Sequence, residues 1–300
     1  MRYPELARAA LGAVPVPLNV DQRRSRWLVA CLDRVFDPGD DAAVRVDGAL
    51  IAVDLKSQLE RLLYYAPANV VRSHRRAELC TVIERLPPGG LFVDVGANLG
   101  LFSLLARQRG LEALLFEPEP LHLRFLRRNE SVFGQVSGWA LSDEEGQTEL
   151  FVADLANPGA SSLVRPTSED EEAIYAATAV VEVTTFDAAM ERLGVVPESI
   201  ALVKIDVEGN EERTVRGMQR TLRRYPPPIW CEVRGPTSAR GRASFEAVVR
   251  LLAQHGYVAY RSTGGQLSRF YGGAALPEVF DLLFLRETDP LPPPARRQAR

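Results

Sequence analysis

Leu91-Phe92-Val93-Asp94-Val95-Gly96-Ala97-Asn98-Leu99-Gly100 runs without a break into Leu101-Phe102-Ser103-Leu104-Leu105-Ala106-Arg107. A short apolar run passing through glycines into apolar side chains at three- and four-residue spacing predicts a buried strand, a tight turn and an amphipathic helix. Glycine at the turn lets backbone N–H groups come close to a ligand at the helix start. Glu117 closes the next apolar run 21 residues after Gly96, a spacing that suits one strand-helix-strand unit with an acid placed to accept both hydroxyls of a ribose.

The missing glycines say which nucleoside is meant. A dinucleotide fingerprint G-x-G-x-x-G begun at Gly96 needs glycine at 98 and 101, where the chain carries Asn98 and Leu101. Pyrophosphate requires that close approach, so NAD and FAD are disfavoured. S-adenosylmethionine, a nucleoside without phosphate, tolerates the asparagine. Asp94, Gly96, Asn98, Gly100 and Glu117 are therefore the first candidates for cofactor binding.

Downstream, apolar runs at 91–95, 112–117, 135–141, 201–207, 228–233, 256–261 and 279–286 alternate with helical patterns. That alternation predicts an α/β fold with a mostly parallel sheet covered by helices on both faces. Residues 151–180 read as a loop-rich insertion. Upstream, apolar spacing predicts a helix at 20–36, a hairpin over 44–53 around Asp47-Gly48, and helices at 58–65 and 71–86. The expected organisation is a helical and hairpin N-terminal lobe over 1–88, a Rossmann-like domain over 89–288 and a Pro- and Arg-rich flexible tail over 289–300.

Lys204, Asp206 and Glu208 alternate with Ile205 and Val207, so a strand would place all three ionisable groups on one face. Central parallel strands are normally apolar, and buried charge costs several kcal/mol unless paired or functional. The face must either pair internally, Lys204 with Asp206 or Glu208, or look into a cleft at the carboxyl end of the sheet. Glu232, ending Ile229-Trp230-Cys231-Glu232, could reach the same cleft. His122 is expected on a helix surface, His255 at a helix end, and His74 in a basic face with Arg72, Arg75 and Arg76.

Composition sets the outer bounds. With 46% hydrophobic and 25% charged residues, the 300-residue chain can bury a full core, which excludes disorder as its main state. A net charge of −3 gives no global footprint for nucleic acid. Cys31, Cys80 and Cys231 form no C-x-x-C pair, so neither a disulfide scaffold nor a zinc ribbon is expected. No apolar run reaches the length of a membrane helix, and Arg2, Glu5 and Arg8 break up the start as a signal peptide, so a reducing cytoplasm is the expected setting. No H-E-x-x-H, G-x-S-x-G or P-loop pattern occurs.

Four stretches, Val93 to Gly100, Phe116-Glu117-Pro118-Glu119-Pro120, Ala140-Leu141-Ser142-Asp143 and Lys204-Ile205-Asp206-Val207-Glu208-Gly209, together resemble the FkbM family of methyltransferases in content and order. The resemblance spans roughly residues 44–286 and departs at Asn210, where a smaller residue is more usual. It implies a class I S-adenosylmethionine-dependent methyltransferase acting on a hydroxyl of a sugar, lipid or natural product. Ser142 and Asp143, after the third strand, are then placed near the adenine, and Asp206 joins the cofactor set. Lys204, Asp206, Glu208 and Glu232 become the catalytic candidates, with no resident metal expected. The competing readings are an enzyme in which Asp206, Glu208 and Glu232 hold Mg²⁺, and a non-catalytic nucleoside-binding module.

Overall fold

The computed structural model describes residues 41–289 apart from 66, 68–69, 71–77, 154–158, 235–238 and 273–275. The helix expected at 20–36, His74 and the tail beyond Asp289 lie outside the described residues.

Strands β1 (Asp41–Val46) and β2 (Ala49–Asp54) form the expected hairpin. Asp47 and Gly48 turn it with φ of 48° and 85°, the left-handed pair that a two-residue turn between twisted strands demands. Helices α1 (Gln58–Tyr65) and α2 (Glu78–Ile83) follow. The nucleoside-type unit comes next as β3 (Leu91–Val95), α3 (Leu101–Gln108), β4 (Glu112–Phe116) and α4 (Pro120–Arg128). Helix α4 starts where its sequence says it should, with proline in the first turn and the Glu119 carboxylate accepting from the His122 N–H.

The apolar stretch at 135–141 is two strands rather than one. Strand β5 (Gln135–Ser137) pairs with β4, whereas β6 (Ala140–Ser142) joins a second sheet. Between them Gly138 passes so close to α4 that a Cβ there would lie 2.8 Å from Leu123, and the chain changes sheet at that point. The supposed loop at 151–180 is also partly strand. Strands β7 (Gly146–Ala153) and β8 (Tyr175–Thr185) pair along their length and make, with β6, a three-stranded sheet. The outer half of β8 is exposed on both faces, so no hydrophobic alternation marked it.

The chain then returns through α5 (Phe186–Arg192), β9 (Ile200–Ile205), α6 (Glu211–Arg216), α7 (Gln219–Arg224), β10 (Ile229–Arg234) and α8 (Ala239–Ala253). It ends with β11 (Tyr257–Thr263), a short edge strand β12 (Gln266–Arg269) that carries no sequence pattern, and β13 (Val279–Arg286). The large sheet has the order β12-β11-β13-β10-β9-β3-β4-β5, parallel from β10 through β5, with β13 antiparallel between β10 and β11.

Strand periodicity sorts the core. Val93, Val203, Cys231 and Leu282 face one helical layer, while Phe92, Leu202, Trp230 and Leu283 face α2 and α3 on the other side. The hairpin has no core of its own. Val44, Val46, Ile51 and Val53 share one apolar cluster with Leu99, Leu101, Phe125 and Phe133 of the sheet-bearing part. Asn129, at the end of α4, seals that contact by pairing with Ala52 as a strand would: its Oδ1 accepts from Ala52 N at 2.7 Å and its Nδ2 donates to Ala52 O at 2.8 Å.

Candidate functional site

Strand order reverses between β3 and β9, because β3 is followed outward by β4 and β9 by β10. Ligand crevices in open α/β sheets form at the carboxyl ends of the strands at such a switch point. A cleft with about 780 Å³ of open space lies there, lined by Gly96, Asn98, Glu117, Asp206, Glu208 and Glu232 among others.

The turn after β3 is shaped by the protein itself. A Cβ on Gly96 would sit 1.8 Å from the Asp206 carbonyl oxygen, and one on Gly100 would strike Leu126 at 2.8 Å. Both glycines have positive φ, 79° and 68°, so each is required twice over. Asn98 also adopts a left-handed conformation, with φ of 51°. Its N–H donates to Glu117 Oε2 at 2.7 Å, and its Oδ1 is buried with no hydrogen-bond partner among the described residues. Glu117 Oε1 accepts from Glu119 N at 3.0 Å. Burial pushes the Glu117 carboxyl up, an effect opposed first by the charge of His122. Each Glu117 oxygen retains a lone pair beyond these bonds, so the residues fit a sugar carrying adjacent hydroxyls. His122 is 4% exposed, lines the cleft and does not lie on the helix surface, because α4 turns that side toward Glu117.

Beneath the turn, Asp94 and Lys204 meet across paired strands at register partners. Lys204 Nζ lies 3.1 Å from Asp94 Oδ1 and 3.5 Å from Asp206 Oδ2, and donates to the Gly96 carbonyl oxygen at 2.7 Å. Ser103 donates to the other Asp94 oxygen at 2.7 Å. Burial disfavours the ammonium, but the Asp94 and Asp206 carboxylates outweigh it and raise the Lys204 pKa above the usual lysine value. Neither Asp94 nor Lys204 lines the cleft; both brace what does.

The reading of 204–208 as one strand face is corrected here. Strand β9 ends at Ile205, and Glu208 has a left-handed backbone with φ of 53°, so its direction comes from a turn and not from strand alternation. The reason is local: Asp206 N donates to Val95 O at 3.1 Å, and the following turn is held by the buried Glu211 carboxylate, which accepts from Gly209 N at 2.9 Å. The outcome for the carboxylates is nevertheless convergence. Oxygens of Asp206, Glu208 and Glu232 lie within 4.8 Å of one another. Burial, then the Asp206 charge, pushes Glu208 up to about 7, with Arg234 opposing from a 2.9 Å ion pair. Glu232 is pushed up to about 9 by burial and by Asp206 and Glu208.

Ser142 and Asp143 stand apart from the cleft wall. Ser142 is 1% exposed, and Asp143 is engaged by Arg213 at 2.6 Å. His255 bonds Gln219 at 3.1 Å and is also outside the cleft, with burial lowering its pKa. Four contributors had no sequence signal. Ser161 and Leu163 reach the cleft from the insertion, and Ser162 between them pins that segment by exchanging two backbone bonds with Phe151 and donating its hydroxyl to the Glu208 carbonyl at 2.6 Å. Arg234 is the fourth, since it only matters once the turn brings Glu208 to it.

Leaving aside the edge strand β12, the seven strands β11-β13-β10-β9-β3-β4-β5, with antiparallel β13 inserted between β10 and β11, and an acid just after β4 define a class I S-adenosylmethionine-dependent methyltransferase fold. Residues 94–259 match the methyltransferase FkbM domain, and the chain belongs to that family. The chain is 31% identical over 182 residues to the methyltransferase sdnD of Sordaria araneosa, a match covering 57% of this chain and 63% of that protein. It is 32% identical over 202 residues to the 31-O-demethyl-FK506 methyltransferase FkbM of Streptomyces tacrolimicus, covering 57% of this chain and 74% of that protein. Among solved structures it is similar to a methyltransferase FkbM from Methylobacillus flagellatus, at 14% identity and a TM-score of 0.38, covering 75% of this chain and 54% of that one. S-adenosylmethionine is the cofactor of this class. No helix among the described residues is long and apolar enough to cross a membrane.

Proposed function

We propose that the protein transfers a methyl group from S-adenosylmethionine to a hydroxyl of a small sugar, lipid or natural product. The observation that carries this reading is the placement of the Asp206, Glu208 and Glu232 carboxylates in the same cleft as Gly96, Asn98 and Glu117, which sets proton acceptors beside a nucleoside site. The Streptomyces relative is named for methylating an O-demethyl compound, which supports oxygen as the acceptor atom. The net charge of −3 and the acidic cleft argue against a nucleic acid acceptor.

When bound, S-adenosylmethionine supplies a methyl group on positively charged sulfur. The chain then has two tasks. Glu117 accepts the ribose hydroxyls and the turn at Gly96 and Asn98 holds the amino-acid end, with Asp94, Lys204 and Gly100 keeping that turn in place. Such alignment of two reactants can supply roughly 7 to 11 kcal/mol. Asp206 or Glu208 orients the acceptor hydroxyl and takes its proton as the new bond forms, with Glu232 an alternative base only at alkaline pH, where it gives up its own proton; general-base help of this kind is worth typically about 10² to 10⁴ in rate.

The test is incubation of the purified protein with labelled S-adenosylmethionine and a fractionated pool of small metabolites. Label in a base-stable ether of a hydroxyl compound, undiminished by EDTA, is the expected result. Label in nucleic acid overturns the acceptor class. Loss of turnover in EDTA, restored by Mg²⁺, replaces the base reading with one in which the three carboxylates hold the metal. Binding of S-adenosylhomocysteine with no transfer to any fraction points to a binding module.

A further inference from the structure

Two carboxylates, Glu117 and Glu119, are 6% and 4% exposed and adjoin one another at the nucleoside end of the cleft. They are linked in series: Glu119 N donates to Glu117 Oε1 at 3.0 Å, and His122 N donates to Glu119 Oε2 at 2.7 Å. The His122 ring closes the series, with Nδ1 3.4 Å from the same Glu119 oxygen and a side chain only 5% exposed. His122 also lines the cleft together with Glu117 and Pro118, so its ring, the Glu117 carboxylate and the ligand space adjoin.

We propose that His122 is a positioning residue of the ribose site: its ring rests against the Glu119 side chain, and through the Glu119 N–H bound to Glu117 Oε1 it keeps the Glu117 carboxylate aimed at the two sugar hydroxyls. This rests on the reading of Glu117 as the ribose acceptor, and the experiment separates the two. Calorimetry measures the affinity of S-adenosylhomocysteine and of its 2′-deoxy analogue for the wild type, Glu117→Ala and His122→Phe. In the wild type the analogue should bind at least tenfold more weakly. Glu117→Ala should abolish that penalty, and His122→Phe, which fills the space without a ring nitrogen to face Glu119, should shrink it to less than half while the melting temperature stays within a few degrees. If His122→Phe does not fold, His122→Gln is read in the same way. A full penalty in Glu117→Ala overturns the ribose reading itself. A full penalty in the folded His122 variant, with none in Glu117→Ala, overturns only the role of His122.

Discussion

Lys204 donates its ammonium to the carbonyl oxygen of Gly96 at 2.7 Å, tying the end of β9 to the turn that follows β3. The same ammonium faces Asp94, which is wholly buried. Removing one partner of a buried pair leaves the other charge uncompensated, at a cost of about 3 to 5 kcal/mol. Lys204→Met should lose stability of that order in urea unfolding, and adding Asp94→Leu should recover part of it. A Lys204→Met protein as stable as wild type would show that the brace is unnecessary.

Glu117→Ala removes a charged acceptor for two hydroxyls, each bond worth about 1.5 to 3 kcal/mol. Its affinity for S-adenosylhomocysteine should fall at least tenfold by calorimetry. For the wild type, ligand at a hundred times the dissociation constant adds about 2.7 kcal/mol of stability, so S-adenosylmethionine should raise the melting temperature and NAD should not. Unchanged affinity in Glu117→Ala removes the ribose assignment.

Asp206→Asn and Glu208→Gln keep shape and remove charge. At least one should bind S-adenosylhomocysteine normally while turnover drops about 10² to 10⁴-fold. Near-normal turnover in both moves the base to Glu232.

The pH dependence follows from Glu208, whose carboxyl rises from 4.5 to about 7 on folding. A native state that keeps this proton to higher pH than the unfolded chain is favoured below the unfolded value and loses that advantage as pH rises through about 7. Turnover needing the carboxylate moves the other way and should climb across the same window. Glu208→Gln should flatten this part of the stability profile. An activity profile that is flat between pH 5 and 8 speaks against Glu208 as the base.

Asp143 is a control for the adenine. Its carboxylate is committed to Arg213 in a part-exposed pair, an interaction worth at most about 1 kcal/mol. Asp143→Ala should leave affinity for S-adenosylhomocysteine within about twofold; a tenfold loss restores the adenine contact expected from the Ser142-Asp143 motif.

The parts of the site that were legible in the sequence share one property: their geometry is set by neighbours close in the chain. Gly96 and Glu117 sit at the ends of adjacent strands of one unit, so spacing alone brings them together. Asp206 directly follows β9, and Glu232 lies near the end of its neighbour β10. Glu208 was read to the right cleft for the wrong reason, since strand alternation stops at Ile205 and a left-handed turn aims it. His122 was misplaced because helical spacing gives a face but not the partner of that face. Ser162 gave no signal at all, because its position depends on a backbone bridge to Phe151 and on the Glu208 carbonyl, 46 residues away. Strand β8 escaped detection because pairing with β7, and not burial, maintains its outer half.

Strand β13 lies between β10 and β11, pairing Trp230 with Leu283 and Ala259 with Phe284, although it is made after both. During synthesis the middle of the sheet therefore waits for its last piece. A nascent chain that has emerged only to residue 270 holds β10 with an open edge and Leu283 and Phe284 still missing from the core on either face. The stretch matched by the family, 94–259, is consequently a unit of descent and not a unit of folding. Ribosome-bound chains ending before β13 should remain sensitive to protease, and protection should arrive in one step once residue 286 has cleared the exit tunnel.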